Sequence, residues 1–213
     1  MLPRRYFFEQ ICGVMAEFGR FIPVFNDKHL AYRWEDTKWM YETAKTLGVP
    51  FWAGSAAPVA WRRPNWEEPP NVFIDEALAI GFHMVERYGF HDLEALQCQV
   101  EQRLGGETGV RAVQCLSGAA VWQAEVDGRW SWTLAERALA AIEGGPQSLE
   151  LDKVEAPHVF LLEYVDGLKG TVLMLGDNGY VEKFAYASQH KESIQALEYH
   201  TNSGPTHALF SYL

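Results

Sequence analysis

The sequence predicts an α/β and α+β protein, in which a partial parallel α/β unit precedes an α+β domain with a mainly antiparallel sheet. Three observations support this fold class. Helical patterns and short apolar runs alternate up to residue 54, proline and tryptophan are concentrated in 56–70, and apolar runs joined by short turns fill 158–201. The change in composition predicts a domain boundary near residue 56, which gives domains 1–56 and 57–213.

The first domain is expected to contain two helices and two strands in alternation. An apolar stripe with spacings of four, three and four residues predicts a helix over 4–18, and its members are Phe7, Ile11, Val14 and Phe18. The elements predicted after it are a strand at 21–25, a helix at 35–47 and a strand at 49–54. This order is typical of a parallel sheet, of which two strands are expected here.

The second domain is expected to begin with mixed elements and to end in strands. The Asp-Gly dipeptide at 166–167 lies between two apolar runs and predicts a β-hairpin. Thr133 and Glu136 have the spacing of a capping pair that opens a helix. The predicted helices are 91–104 and 131–142, and the predicted strands are 77–85, 109–116, 158–165, 168–175, 180–187 and 194–201, with a second turn at 177–179.

Composition excludes several classes of protein. The 213 residues are 48% hydrophobic and 22% charged, and the formal net charge is −10. These values exclude a disordered tail and a fibre, and the negative charge excludes a nucleic-acid binder, which needs clustered Lys and Arg. The sequence contains no run of about 18 apolar residues, so no membrane span is predicted. The three cysteines lack CxxC spacing and Glu9 interrupts the apolar start of the chain, so a reduced, cytoplasmic protein is expected.

Lys28 is the first candidate for chemistry. It follows the carboxyl end of the first predicted strand, and open α/β sheets bind ligands in the crevice at that end. A partly desolvated lysine there could exchange protons with a substrate. The alternative is an ordinary surface lysine in a strand-to-helix loop.

His91 is the second candidate, because it stands at the predicted start of the 91–104 helix. The positive end of a helix disfavours the imidazolium form and leaves a neutral ring that can accept a proton. Glu86 and Glu94 flank it, and Glu94 lies about one helical turn away. The alternatives are a histidine that only caps the helix and glutamates that only face solvent.

Other residue types give weaker signals. Trp61 follows the second predicted strand in the proline-rich loop, where its ring could stack on a sugar, although most of the 8 tryptophans are expected to fill cores or interfaces. The remaining histidines have no metal-ligand spacing, so no metal site is predicted. No GxGxxG motif is present, so no helix N-terminus is predicted to hold a dinucleotide pyrophosphate.

The motifs resemble those of the Gfo/Idh/MocA oxidoreductases. Within residues 22–62, Asp27-Lys28-His29 takes the place of that family's Glu-Lys-Pro motif, and 49–55 resembles its next strand. Gly89-Phe90-His91 with Glu94 resembles the family's Asp-x-Gly-x-His-x-x-Asp segment, and 158–175 resembles a hairpin of its large C-terminal sheet.

The resemblance implies an NAD(P)-dependent oxidoreductase that acts on a sugar, cyclitol or related polyol. Lys28 and His91 would be catalytic, with His91 accepting the proton of the oxidised hydroxyl. The cofactor, NAD or NADP, would lie near Asp27, Lys28 and His29, and the substrate would contact Trp61, Glu86 and Glu94. Residues 1–56 would be the C-terminal part of a Rossmann-like nucleotide-binding domain, and 57–213 a substrate and oligomerisation domain whose sheet joins copies of the chain.

The sequence also departs from the family pattern. His29 replaces the motif proline, Arg87 stands where the family has its first aspartate, and the first strands of the nucleotide-binding fold are not recognised. The chain is therefore expected to be partial and to bind dinucleotide weakly. A non-catalytic ligand-binding or assembly module remains an alternative, and a metal-assisted lyase or hydrolase using Glu86 and His91 is a third one.

Overall fold

The structure, a computed structural model, describes residues 3–176 and 178–200. It divides into two compact units, Met1–Ser55 and Ala56–Leu213, called here the first and second units. The predicted turn at 177–179 includes Asp177, and the last predicted strand includes Thr201. Both of these residues lie outside the described part of the chain.

The first unit consists of two helices and a two-stranded parallel sheet. Its elements are α1 (Arg4–Glu17), β1 (Val24–Asp27), α2 (Trp34–Leu47) and β2 (Phe51–Gly54). β1 and β2 pair in parallel, with Asp27 opposite Gly54. A small core of buried side chains joins the helices, formed by Phe8, Cys12, Met15, Met40, Ala44 and Val49. α2 ends at Gly48, whose left-handed backbone suits glycine.

The apolar stripe that predicts α1 is not its buried face. Phe7, Ile11, Val14 and Phe18 are all exposed, and the buried positions of α1 are Phe8, Cys12 and Met15. The helix therefore has an apolar surface wider than one stripe. Periodicity alone could not decide which part of that surface the unit covers, because both parts have helical spacing.

The second unit is built on a seven-stranded mixed sheet. Its elements are β3 (Trp61–Arg63), β4 (Glu76–Gly81), α3 (Val85–Val100), β5 (Val110–Ser117), α4 (Ala119–Val126), α5 (Trp132–Ala141), β6 (His158–Tyr164), β7 (Lys169–Met174), β8 (Ala185–His190) and β9 (Ser193–His200). The strand order is β3-β9-β8-β4-β7-β6-β5. β4 and β7 pair in parallel, and the other neighbouring strands are antiparallel. The predicted combination of a parallel α/β unit and an α+β domain is confirmed.

Several predicted boundaries were wrong. α3 begins at Val85, six residues before its predicted start, because β4 ends at Gly81 and the chain turns through His83, which has φ 62°. Residues 180–184 precede β8 and belong to no strand. α5 is capped by Ser131, whose Oγ accepts a hydrogen bond from the Leu134 N–H at 3.2 Å, and not by Thr133.

Two elements were missed altogether. β3 lies in the segment interpreted as a loop, since its three residues are too few for a period-two pattern to be visible. α4 is apolar on most of its surface and shows no polar stripe from which a helix could be recognised.

α3 packs against β4 and β7, and α5 packs against β4, β8 and β9, so the helices enclose the core of the second unit around its central strands.

Candidate functional site

Lys28 follows the last residue of β1 and is held there by the neighbouring strand. Its N–H donates a hydrogen bond to the Gly54 carbonyl at 2.6 Å, which continues the β1–β2 ladder by one residue. Its φ is 66°, a left-handed conformation that is costly for a residue with a Cβ. The side chain is partly buried. The structure thus places Lys28 at the carboxyl end of a parallel strand, in a backbone conformation imposed by its surroundings.

Polar contacts also hold the backbone around Lys28. The Asp27 carbonyl accepts a hydrogen bond from the Arg4 guanidinium, and the Asn26 amide donates to the His29 carbonyl at 3.2 Å. The His29 ring packs edge-on against Tyr32, with centroids 5.1 Å apart. These contacts fix the turn that carries the motif without the proline found in the family.

Asp27 has a carboxylate oxygen available for a further polar partner. Its Oδ1 is buried and has no hydrogen-bond partner among the described residues. A buried acceptor without a donor is costly unless a water or a ligand supplies one. Asp27 therefore has a buried, unsatisfied acceptor at the end of β1, directly before Lys28 in the chain.

His91 lies in the second turn of α3 rather than at the helix start. Because α3 begins at Val85, His91 is not at the positive end of the helix, and the helix dipole is no reason for its ring to be neutral. The residue is buried, and its ring lies 5.9 Å from that of Tyr88 and 6.4 Å from that of Phe184. His91 is thus a histidine in an aromatic environment of the second unit, whereas Lys28 belongs to the first unit.

The predicted substrate-binding residues Glu86, Glu94 and Trp61 also belong to the second unit. Glu86 is exposed in the first turn of α3, and Glu94 is partly buried one turn after His91. Trp61 is exposed, and it lies in strand β3 opposite His200 of β9, not in a loop. Glu94 and His91 therefore share a region of α3, whereas Glu86 is nearer its N-terminus.

Asp92 was missed by sequence reasoning and is the most unusual residue of α3. Its carboxyl group is fully buried against the backbone of Gly81 in β4, and neither oxygen has a hydrogen-bond partner among the described residues. Burial raises the pKa of Asp92 well above its ordinary value. The signal available in the sequence was an aspartate between helical apolar positions, next to a candidate catalytic histidine.

A second buried carboxylate, Glu68, was also missed. Its Oε1 accepts hydrogen bonds from the Tyr186 hydroxyl at 2.9 Å and the Ser188 hydroxyl at 2.5 Å, and it lies 3.2 Å from His190 Nε2. The Glu68 N–H donates to Gln99 Oε1 at 3.0 Å. This cluster joins the 64–75 segment to β8 and α3, so it supports the scaffold of the second unit.

Neither a metal centre nor a membrane span is found among the described residues. Within residues 3–176 and 178–200, no three His, Cys, Asp or Glu side chains are grouped so that they could hold a metal ion. None of the helices in the described part of the chain has the length and apolar character needed to cross a membrane.

Comparison by sequence and comparison by structure gave different results. No protein-family model matches the sequence, and no curated protein matches it. Solved structures do match the fold. One is GenD2 from gentamicin A biosynthesis in complex with NAD, at 13% identity and a TM-score of 0.51, with 92% of this chain and 52% of that chain covered.

Two dehydrogenases match to a similar degree. D-galactose-1-dehydrogenase from Rhizobium etli has 11% identity and a TM-score of 0.50, with coverage of 92% of this chain and 58% of that one. The WlbA dehydrogenase from Bordetella pertussis, in complex with NADH and UDP-GlcNAcA, has 12% identity and a TM-score of 0.50, with coverage of 98% and 62%.

The matches cover nearly all of this chain but only part of the other proteins. The chain spans between 52% and 62% of the length of these three proteins. At such low identity the likeness concerns the fold. The predicted resemblance is confirmed at the level of the fold, which the chain shares with GenD2, the galactose dehydrogenase and the WlbA dehydrogenase.

Proposed function

We propose that the chain is part of an NAD(P)-dependent oxidoreductase that oxidises or reduces a hydroxyl carbon of a sugar, cyclitol or related polyol. The shared fold supports an oxidoreductase in general, and the proteins that share it include a galactose dehydrogenase and one crystallised with NADH and a UDP-sugar. The first unit belongs to the nucleotide side of the reaction and the second unit to the substrate side.

One observation supports this function more than any other, namely the strained presentation of Lys28. Lys28 is one of five non-glycine residues with positive φ in the described part of the chain; its φ is 66°, and its N–H donates a 2.6 Å hydrogen bond to the Gly54 carbonyl. Strained backbone is found more often at functional sites, where the surrounding structure compensates for its cost. The position is also the one at which open parallel sheets bind their ligands.

The proposed roles follow from the chemistry of the two side chains. In the oxidation, a C–H hydrogen leaves the carbinol carbon with its electron pair as a hydride, and the O–H proton leaves separately. We assign to His91 the acceptance of that proton on a ring nitrogen, and to Lys28 the donation of a hydrogen bond to a substrate oxygen, where its charge stabilises negative charge. In the reduction both transfers run in reverse.

The nicotinamide cofactor accepts or gives the hydride when it is bound, and the residues present suit only part of it. The carboxamide of a nicotinamide can donate to the unpartnered Oδ1 of Asp27 beside Lys28. The pyrophosphate is not suited to the start of α2, because Glu35 and Asp36 lie in its first turn and would repel an anion. We therefore assign Asp27, Lys28 and His29 to the nicotinamide end, and no residue of the first unit to the phosphates.

The second unit has a surface suited to oligomerisation. Strand β5 forms one edge of its sheet, and nearly all of its residues are exposed. An edge strand of this length is a ready template for pairing with another chain. We propose that this sheet joins copies of the chain.

The test combines substrate binding with turnover. Thermal shift is measured with a panel of sugars and UDP-sugars, and absorbance at 340 nm is followed after adding NAD⁺ or NADP⁺. Lys28→Ala and His91→Asn should each abolish the shift or reduce turnover by about 10²-fold or more. Lys38→Ala, on the exposed surface of α2, is the matched control and should change neither readout.

The two readouts separate the possible failures. Binding of a sugar that depends on Lys28 and His91, without turnover, supports the substrate site and indicates that the phosphate-binding part must be supplied from elsewhere. The absence of both sugar binding and dinucleotide reduction would contradict the proposed function.

A further inference from the structure

A cluster of polar side chains ties the 64–75 segment, which connects β3 to β4, to strand β8. Its members are the Glu68 side chain and the Phe73 carbonyl from the segment, and the side chains of Tyr186, Ser188 and His190 from β8. The Glu68 side chain is fully buried, and 15% of the His190 side chain is exposed. The cluster lies within the second unit and takes no part in the proposed catalysis.

Four hydrogen bonds within the cluster determine how many protons it holds. His190 Nδ1 lies 3.0 Å from the Phe73 carbonyl oxygen, and His190 Nε2 lies 2.8 Å from Ser188 Oγ. Glu68 Oε1 lies 2.5 Å from Ser188 Oγ and 2.9 Å from the Tyr186 hydroxyl. Each of these four contacts needs one hydrogen between its two heavy atoms.

An ionised Glu68 and a neutral His190 would supply one hydrogen too few. The two hydroxyls and one ring nitrogen provide three hydrogens for the four bonds. The Phe73 carbonyl can only accept, so the single ring hydrogen of a neutral His190 would lie on Nδ1. Ser188 would then have one hydrogen for two contacts. The fourth bond therefore requires one further proton on the cluster.

The additional proton is best placed on His190 Nε2. When the Ser188 hydroxyl donates to Glu68, its oxygen accepts from the Nε2–H of His190, and the same nitrogen lies 3.2 Å from Glu68 Oε1. The ring is then an imidazolium ion beside a carboxylate. Placing the proton on Glu68 instead reverses both bonds of Ser188 and leaves the count of hydrogens unchanged.

The uncharged groups that pack around the cluster come from α3, β8 and β9. Burial raises the pKa of Tyr186, and that of Tyr199 on β9, well above the ordinary value for a phenol. Burial also raises the pKa of the Cys98 thiol on α3. Gln99 of α3, whose Oε1 accepts from the Glu68 N–H, does not titrate. None of these four side chains brings a charge to the cluster near neutral pH.

The charged groups near the cluster do not take part in its four hydrogen bonds. Glu67 forms an ion pair with Arg62 at 2.8 Å. The Asp75 carboxylate accepts a hydrogen bond from the Lys191 N–H at 2.5 Å. Glu76 opens β4, and burial raises its pKa. The missing hydrogen therefore has to come from a proton held within the cluster.

We propose that this cluster is a pH-sensitive latch, in which one proton shared by His190 and Glu68 holds the 64–75 segment against β8. Loss of that proton removes one of the four bonds and leaves an Nε2 lone pair facing the buried carboxylate oxygen 3.2 Å away. A buried charge without its partner is destabilising. Glu68 Oε2 adds to this effect, because it is buried with no hydrogen-bond partner among the described residues.

The direction of the pH dependence follows from the number of protons bound in each state. Above about pH 6.5 a free imidazole has released its second proton, so unfolding releases the proton that the latch holds. The unfolding equilibrium constant therefore rises with pH, by up to about tenfold per pH unit, until the folded chain has lost the proton as well. The latch is closed at lower pH and opens as the pH rises.

The test is urea unfolding of the full chain between about pH 6 and about pH 9. Glu68→Gln supplies the missing hydrogen from an amide that does not titrate, so its unfolding constant should rise less steeply than that of the wild-type chain, by several-fold per pH unit. Glu67→Gln, at the neighbouring exposed position, is the matched control and should keep the wild-type dependence. Asp92 is present in every chain, so its contribution cancels in the comparison.

A second pair of variants shows whether one proton is shared. His190→Gln should lose the same pH dependence as Glu68→Gln, and the double variant should lose no more than either single variant, because one proton can be removed only once. If Glu68→Gln does not fold, the comparison of His190→Gln with the wild-type chain tests the same proton.

Hydrogen exchange, corrected for the intrinsic effect of pH, measures the opening of the latch directly. The 64–75 segment should lose protection between about pH 6 and about pH 9, whereas β6 and β7 should keep theirs. This pattern distinguishes local release of the segment from a general loss of stability.

Three results would overturn the proposal. The first is a parallel change of the wild-type and Glu68→Gln unfolding constants with pH, which would show that the cluster holds no additional proton. The second is an additive loss of pH dependence in the double variant, which would show two separate titrations. The third is equal protection of the 64–75 segment at both pH values, which would show that the proton does not hold the segment.

Discussion

At the scale of single residues, Lys28 is the clearest example of local strain held by its neighbours. A left-handed conformation costs a residue with a Cβ roughly 1–2 kcal/mol. The hydrogen bond from its N–H to Gly54 and the contacts of Asp27 and His29 with Arg4 and Asn26 maintain that conformation. The strained backbone of Lys28 therefore lowers the stability of the fold at a position that is proposed to contact a substrate.

Lys28→Gly should therefore stabilise the protein while removing its proposed function. Glycine adopts φ 66° without strain, and after allowing for the greater entropy of the unfolded chain we expect a gain of about 0.5–1 kcal/mol. The measurement is urea denaturation. Lys38→Gly, inside α2, is the control and should lose about 1 kcal/mol. A loss of stability at position 28 would show that the lysine side chain, and not strain, dominates there.

Asp92 makes the stability of the fold dependent on pH. Because burial raises its pKa well above the ordinary value of 3.8, the folded state holds a proton that the unfolded state has already released. The stabilisation from this group is fully present below about pH 3.8 and is lost as the pH rises through the folded pKa.

Asp92→Asn should remove that dependence. The amide has nearly the same shape but no proton to release, so the variant should gain stability relative to the wild-type chain steadily from pH 4 upward. Unfolding by urea at a series of pH values measures the difference. Asp152→Asn, at an exposed site, should show no such trend. A constant difference across this pH range would contradict the assignment of a raised pKa to Asp92.

At the scale of elements, the packing of α3 on β4 depends on one glycine. A Cβ at Gly81 would overlap the carboxyl group of Asp92, so helix and strand approach as closely as they do only because this strand position has no side chain. The same contact leaves no room for a water between the carboxyl group and the strand. Gly81 and Asp92 are therefore expected to be energetically coupled.

Gly81→Ala should destabilise the second unit by about 1–3 kcal/mol, because the added methyl group forces α3 away from the sheet. Adding Asp92→Ala should recover most of that loss, since the smaller side chain makes room for it. A double-mutant cycle measured by thermal unfolding gives the coupling energy, expected to be 1 kcal/mol or more. Strictly additive effects of the two changes would show that the overlap is relieved elsewhere.

At the scale of the whole molecule, the two units differ greatly in what holds them together. The first unit relies on a small core around Met40 and on a two-stranded sheet, and two strands alone are marginally stable. The second unit has a much larger core, enclosed between its helices and seven strands. The first unit is therefore expected to open at lower cost than the second.

Hydrogen exchange detected by mass spectrometry should show lower protection in α1, β1, α2 and β2 than in the strands of the second unit. Met40→Ala removes a fully buried side chain and should destabilise the first unit by about 2–5 kcal/mol while leaving protection of β4 and β7 unchanged. Equal loss of protection in both units would show that they unfold as one cooperative body.

Much of the fold could be predicted from local patterns. The α1 and α2 helices and the β1–β2 alternation have strong periodic signals, and the 158–175 hairpin has an Asp-Gly turn. β3 and α4 were missed because three residues or an apolar helix give no distinctive period. The start of α3 was misplaced because the apolar run of β4 continues into the turn at His83.

The candidate site was predicted in part. The positions of Lys28 after β1 and of His91 in a helix follow from motif and order along the chain. The left-handed conformation of Lys28 has no sequence signal, and that of the buried Asp92 is only its place between helical apolar positions, because each feature is produced by a neighbour elsewhere in the chain, namely Gly54 and Gly81 respectively.

The sequence by itself determined the fold class, the order of most elements and the resemblance that names the candidate residues. These depend on periodicity and turn chemistry, which are local properties. Only the tertiary structure decided which stripe of α1 is buried, which strand ties down Lys28 and what Asp92 packs against. These outcomes depend on contacts between residues far apart along the chain, and such contacts exist only once the chain has folded.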